Sequence, residues 1–289
     1  MSMRDEVREF LISRRANLTP EQAGITDGLG ERRVPGLRRE EVAMLAGVSI
    51  DYYTKLERGN LQGASDSVLD AIARALHLDD VEREYLFDLA RSASAPARVR
   101  PSVAGAVRPS VQRVLDKLDV PAVVYNAQQD LIAANLLGRA LFSMHFEAER
   151  PNMARFIFLD SRARDFYADW ELACSLTAAM LRFEAGRDPL NSDLTALIGE
   201  LATRSPQFRR DWADQDVHEH RTGKKVYRHP VVGEMDISYD VFELPGEPGL
   251  SITTYGVDDD TESADRMVLL GSWAATREAS SAHRPAPDV

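Results

Sequence analysis

Apolar side chains recur at helical spacing through the first ninety residues and then give way to a mixture of helical and alternating patterns. Val7, Phe10 and Leu11 form one short stripe, and Val42, Leu45 and Ala46 form another at i, i+3, i+4. Val68, Leu69, Ile72, Ala73 and Leu76 make a third, behind Ser65, a residue suited to cap a helix N-terminus. Tyr85, Leu86 and Leu89 mark a helix over 84–90. This part carries no strand signal and is expected to be all-α. Residues 92–109 are rich in Ala, Ser and Pro, and Pro96, Pro101 and Pro109 favour the extended backbone of an interdomain linker.

Beyond the linker, 111–118 reads as helix, while 120–125 and 130–134 read as a hairpin. Residues 166–184 read as a long helix that is apolar over most of its circumference, including Trp170, Cys174, Leu181 and Phe183, as in helices buried on several sides. Another amphipathic helix spans 194–202. Residues 225–229, 234–244 and 250–257 read as antiparallel strands. The middle one alternates Met235, Ile237, Tyr239 and Val241 against Glu234, Asp236, Ser238 and Asp240. A last helix covers 265–275, and the tail from 280 is expected to be disordered. The expected organisation is a helical domain over 1–92, a linker over 93–109, an α/β domain over 110–277 and a tail over 278–289.

Charge changes this picture only when it is divided. The 289 residues carry 35 Lys and Arg against 46 Asp and Glu, a net charge of −11, which taken whole argues against a nucleic-acid partner. Residues 1–100 hold 15 basic and 17 acidic side chains; the remainder holds 20 and 29. The acidity therefore sits mainly in the second part. Between positions 14 and 39, Arg14, Arg15, Arg32, Arg33, Arg38 and Arg39 face only Glu21, Asp27 and Glu31. No apolar run reaches the ~18 residues of a membrane helix. With no apolar core of a signal peptide and one cysteine, Cys174, the composition points to a cytoplasmic protein without a disulfide framework.

Residues 37–59 have the layout of two helices around a tight turn. A first helix from Arg39 to Ala46 ends at Gly47, where the turn needs a positive φ. Val48 plugs the angle between the helices, and Ser49 is placed to cap the second. Ala43, Tyr53 and Leu56 form the inward face. Ile50, Asp51, Tyr52, Thr54 and Lys55 are left outward, where side chains reach base edges in a major groove. A packing hairpin is the bland alternative. The small Ala43, the Gly47–Val48–Ser49 turn and the closing Leu56–Glu57–Arg58–Gly59 together favour the DNA-reading one.

On these residues, 4–91 resemble the repressor-type (XRE family) helix-turn-helix domain, in the version with Val34–Pro35–Gly36–Leu37–Arg38–Arg39 ahead of the first helix. The remainder resembles the MmyB-like regulator ligand-binding domain. It does so through Asp130–Leu131–Ile132–Ala133–Ala134–Asn135, Arg150–Pro151–Asn152, Phe156 to Asp160, Asp169–Trp170, Ser205 to Phe208 and His229–Pro230–Val231–Val232–Gly233. The resemblance implies that Ile50, Asp51 and Lys55 meet bases, that Arg39 meets phosphate with Arg38 as a second phosphate candidate, and that Arg15 and Glu57 form a structural ion pair. Asp51 has two readings, acceptor from a cytosine amino group or orderer of its own helix. Two departures stand out: residues 60–65 lack the Pro often found before Ser65, and Ala134 stands where relatives often have Trp.

The resemblance also implies a PAS-like α/β domain that holds a small, largely apolar molecule such as a fatty acid. Asn135, Asn152, Trp170, Arg182, Arg228, His229 and Tyr239 are the candidate ligand residues. Arg182, inside an apolar helix, suits an acidic head group or an internal salt bridge. His229 before Pro230 suits a strand-end hydrogen bond better than a base. His218, Glu219 and His220 lack a third metal ligand, and Cys174 is expected to be an inert buried thiol. No catalytic residue, metal or cofactor is expected. The expected protein is a homodimeric regulator of double-stranded operator DNA, with no membrane partner. The alternative is a regulator whose second domain serves only dimerisation or protein interaction.

Overall fold

The computed structural model describes residues 3–25, 34–94, 106–218, 221–244, 246–247 and 249–282. Contacts divide the chain into two units. One comprises Met1–Arg100, Ala178–Ala196 and Arg209–Glu219; the other comprises Pro101–Thr177, Leu197–Phe208 and His220–Val289.

The first unit opens with α1 (Met3–Asn17), α2 (Arg39–Ala46), α3 (Ile50–Glu57), α4 (Asp66–Ala75) and α5 (Asp80–Ser94). Local chemistry fixes where these helices begin and end. Asp5 and Glu6 open α1, and Arg14 and Arg15 close it, both in accord with the helix dipole. The Arg38 N–H donates to the Glu41 carboxylate at 2.6 Å ahead of α2. Gly47 ends α2 at φ 65°, a conformation that a Cβ disfavours. Ser49 and Ser65 accept from the N–H groups of Tyr52 and Val68, capping α3 and α4. The buried arc of α2 is Val42, Ala43 and Ala46. Leu45, expected inside, is 40% exposed. Val42 and Ala46 share a face with either neighbour, and the close crossing of α3 and α4 over α2 selects the small Ala43.

In the second unit come α6 (Pro109–Leu115), β1 (Ala122–Asn126), β2 (Leu131–Ala134), α7 (Leu136–Leu141), α8 (Met153–Leu159) and α9 (Ala163–Phe166). After α10 (Trp170–Arg187), α11 (Ser192–Arg204) and α12 (Pro206–Ala213) the chain forms β3 (Thr222–His229), β4 (Gly233–Glu243), β5 (Leu250–Gly256) and α13 (Glu262–Ala282). The strands make one antiparallel sheet in the order β2-β1-β5-β4-β3. Ala122, Val124, Ala133 and Leu250 pack with Val111 and Leu115 of α6 on one face. The other face carries the alternation expected for β4: Met235, Ile237 and Tyr239 are buried.

Several boundaries differ from the sequence expectation. Phe166 closes α9, and Tyr167, in extended backbone, bridges to Tyr227, so α10 starts at Trp170. The helices α7, α8 and α9 carry too few turns to show a periodicity, and α12 was not anticipated from the sequence. α13 runs on through Ser280 to Ala282; residues 283–289 of the expected tail lie outside the described residues, as do 95–105 of the expected linker.

An aromatic cluster fills the inner face of the sheet. Phe142 meets Tyr227 and Tyr255 edge-on at 5.8 and 5.0 Å, and Phe166 stacks on Tyr227 at 5.1 Å. His145 stacks on Phe156 at 3.7 Å, and its Nδ1 is buried without a hydrogen-bond partner among the described residues. Burial pushes this imidazole down to about 3, from 6.5 in the unfolded chain. Between those two values the unfolded chain binds a proton that the folded chain does not. Stability therefore falls as pH drops below about 6.5, by roughly 1.4 kcal/mol per unit from this group, until about pH 3. His145→Phe is expected to remove that slope from urea titrations run across this window. An unchanged slope would show that the ring is protonated in the fold.

Candidate nucleic-acid and ligand sites

The reading helix is set by three anchors. Ser49 caps it, Tyr53 and Leu56 bury its inner face, and Glu57 ties down its last turn. Glu57 is 1% exposed, with one carboxylate oxygen accepting from Arg15 Nε at 2.8 Å and the other from Arg39 Nε. Arg15 also donates to the Leu37 carbonyl at 2.7 Å. The Arg15–Glu57 pair implied by resemblance is thus present, with Arg39 as a third member. Hydrogen bonding to Glu57, then its charge, raises the Arg39 pKa.

These anchors leave Ile50, Asp51 and Lys55 exposed, with Tyr52 and Thr54 half-buried beside them. Ile50 is 52% exposed. The Lys55 ammonium lies 6.0 Å from the Tyr52 ring centre. Since Ser49 makes the capping hydrogen bond, α3 is capped without recourse to the Asp51 carboxylate. Arg15, Val34, Arg38, Arg39, Glu40 and Ile50 line an open groove of about 400 Å³. Arg38, Arg39 and Ile50, three of the candidate DNA-contacting residues, come together at this groove. Arg39 retains about half of its side-chain surface while holding Glu57. Arg38 approaches Glu40 at 3.5 Å. Met44, on the solvent side of α2 and 64% exposed, went unnoticed in the sequence; a large apolar residue outside the 3.6-residue stripe was the available sign.

The candidate ligand residues do not converge on one place. The Asn135 side chain accepts from the N–H groups of Gly138 (2.8 Å) and Ala122 (3.0 Å) and donates to the carbonyls of Leu118 and Val120. Asn152 caps α8 through Arg155 N–H and donates to the Gln128 carbonyl and the Asp130 carboxylate. Both amides are occupied in holding backbone. His229 ties the end of β3 to the Ala140 carbonyl at 3.1 Å. Arg228 points to the outer face and pairs with Glu234 at 2.9 Å. Trp170 donates to the Ile157 carbonyl and carries the Arg164 guanidinium 3.7 Å from its ring centre.

Arg182 is 1% exposed and belongs to the first unit. It pairs with Glu6 of α1, donates to the Trp212 carbonyl, and lies 4.1 Å from the Trp212 ring centre. Of its two sequence readings, the internal salt bridge is the one the geometry matches. Tyr239 remains on the inner sheet face, with the Lys225 ammonium 4.6 Å from its ring centre. Lys225 was missed, although its parity with Tyr227 and His229 puts it on the inner face.

Cys174 is buried. Among the described residues no group of three His, Cys, Asp or Glu is placed to hold a metal; Glu219 and His220 lie outside them. No described helix is long and apolar enough to cross a membrane.

A capped, outward-facing helix behind a glycine turn, beside a groove with three arginines, defines the helix-turn-helix class of DNA-binding proteins. Residues 13–86 match the model of a helix-turn-helix domain. Residues 107–270, more than half of the chain, match the MmyB-like transcription regulator ligand binding domain, and the chain belongs to that family. No curated protein matches it. The protein is a DNA-binding transcription regulator with a ligand-binding domain.

Proposed function

We propose that the protein binds operator DNA as a homodimer, each copy reading a half-site with α3, and that a fatty-acid-like effector held by the α/β domain controls this binding. The exposed face of Ile50, Asp51 and Lys55 beside the arginine-lined groove carries the DNA reading. Lys55 and Asp51 address base edges, while Arg38 and Arg39 address phosphate. Two-fold symmetry places the half-sites about one helical turn, or a multiple of it, apart. The apolar inner sheet face supports an apolar effector. An effector acts on DNA binding only through its different affinity for the DNA-competent and incompetent states. No catalytic step is assigned to any residue.

Duplexes selected from a randomised pool by the wild-type protein supply the test. Lys55→Ala is expected to weaken binding to the selected site by about tenfold and to relax its sequence preference, as for loss of a base contact worth roughly 1–3 kcal/mol. Arg39→Ala is expected to weaken binding to every duplex and to reduce the salt slope by about one, with a further loss at the selected site because its phosphate contact helps to fix the register of α3. If both variants keep wild-type affinity and salt slope while melting normally, α3 is not the reading helix.

A further inference from the structure

The outward side of α3 carries Ile50, Asp51, Tyr52, Thr54 and Lys55. Four of these side chains end in a polar or charged group, and Ile50 does not. It opens the first turn of α3, directly after the Ser49 cap, and is more than half exposed. The buried cluster of the first unit takes Val42, Ala43, Tyr53 and Leu56 from α2 and α3 and leaves Ile50 out. A β-branched side chain is also a poorer helix former than Ala. Neither packing nor local structure therefore accounts for an isoleucine here.

Val34 has the same character. It is exposed, and it lines the same groove as Ile50, together with Arg15, Arg38, Arg39 and Glu40. The groove thus combines guanidinium groups with carbon surface. The guanidinium groups suit phosphate, whereas two aliphatic side chains have nothing to offer it. At base edges in the major groove, donors and acceptors call for polar partners, and the apolar group on display is the C5-methyl of thymine. Isoleucine is stiff at χ1, so little rotamer freedom is lost when such a group covers it.

We propose that Ile50, with Val34 lining the same groove, receives the C5-methyl group of a thymine in each operator half-site. This rests on the reading of α3 as the helix that enters the major groove, and it assigns to the first turn of α3 the base feature that it recognises. Asp51 and Lys55 address polar edges. Ile50 adds a discrimination that hydrogen bonds cannot supply, thymine against uracil, since the two bases differ in that methyl group alone.

That difference supplies the test. Duplexes selected by the full-length wild-type protein are resynthesised with uracil in place of thymine, one position at a time, which leaves base pairing and the O4 acceptor unchanged. At one thymine of each half-site the exchange is expected to weaken wild-type binding about fourfold, the ratio that corresponds to burial of one methyl-sized group. In Ile50→Ala the same exchange is expected to have no effect, because the contact is already lost. Ile50→Val is expected to keep the discrimination, and Val34→Ala to reduce it to about twofold. Ile50→Ala is expected to melt with the wild type, since Ile50 lies outside the buried cluster. A methyl effect that survives in Ile50→Ala assigns the contact to another side chain, such as Thr54, and overturns the inference. Wild-type binding indifferent to every exchange overturns it too, as does an Ile50→Ala loss that is equal on selected and scrambled duplexes. Lys55→Ala separates this from the underlying reading. If Lys55→Ala weakens binding while every uracil exchange is silent, α3 remains the reading helix and the methyl contact alone falls. If Lys55→Ala and Ile50→Ala both bind as the wild type does, both fall.

Discussion

A fragment ending at residue 100 is expected to melt without a cooperative transition at room temperature, although it contains every helix of the helix-turn-helix match. The core of the first unit is not closed within residues 1–100. Phe183 and Val217 are buried in the same cluster as Phe10, Leu11, Tyr53 and Tyr85. The Phe183 ring centre lies 6.4 Å from that of Tyr85. Glu6 accepts from both Tyr85 and Arg182, so the fragment also strips one of two donors from a mostly buried carboxylate. Deleting a buried Phe costs roughly 3–5 kcal/mol. Small domains hold only about 5–15 kcal/mol in total. Loss of Phe183, Val217 and Arg182 together therefore consumes most or all of the margin. Circular dichroism against temperature, with the full chain as reference, measures it. A fragment that unfolds cooperatively within a few degrees of the full chain's helical unit would show that these side chains contribute little.

The same packing has a full-length test with an unusual sign. Gly186 lies in α10, and a Cβ there would overlap the Tyr85 ring, which is fully buried and has nowhere to move. Gly to Ala within a helix ordinarily stabilises by about 0.5–1 kcal/mol. Here overpacking, at roughly 1–3 kcal/mol, outweighs it. Gly186→Ala is expected to lower the midpoint of the first unit, whereas a gain would mean that α10 does not press on Tyr85.

This shared core also shows what the sequence could and could not reveal. The turn around Gly47 and Ser49 was readable because its causes are local: one residue supplies a positive φ, the next but one supplies a cap, and both act within four positions. The alternation of β4 was readable for the same reason. Arg182 was visible as a charge in an apolar helix, but its partner lies 176 positions away in α1, a distance that no spacing rule spans. Asn135 and Asn152 were candidate ligand residues as polar members of the MmyB-like blocks. Each heads a helix of six or seven residues, too short to show a period, so the capping role was hidden and a ligand role looked plausible. Phe183 read as core, and correctly so. Periodicity tells that a residue is buried, not which core receives it.

Glu57→Ala is expected to destabilise the first unit by about 3–5 kcal/mol, the cost of removing one partner from a buried charge pair. The reason is an asymmetry of exposure. The Arg15 side chain is 14% exposed and fixed by Leu37 and Glu57, so loss of the carboxylate leaves a buried guanidinium without its anion. Arg39, at 47%, turns to water at little cost. Arg15→Met combined with Glu57→Met removes both buried charges and is expected to recover much of the loss, since apolar replacement of a buried pair is often neutral. DNA binding separates the fold from the function. In that double variant Arg39 no longer has an acid holding it at the edge of the groove. Non-specific affinity at low salt is expected to persist, because the phosphate-facing charge remains. The preference for the selected site is expected to shrink, because Arg39 no longer fixes the register of α3 on the duplex. Competition titrations with selected and scrambled duplexes measure both at once. A double variant that is stable and retains full specificity would reduce the Arg15–Glu57–Arg39 cluster to a support of the fold alone.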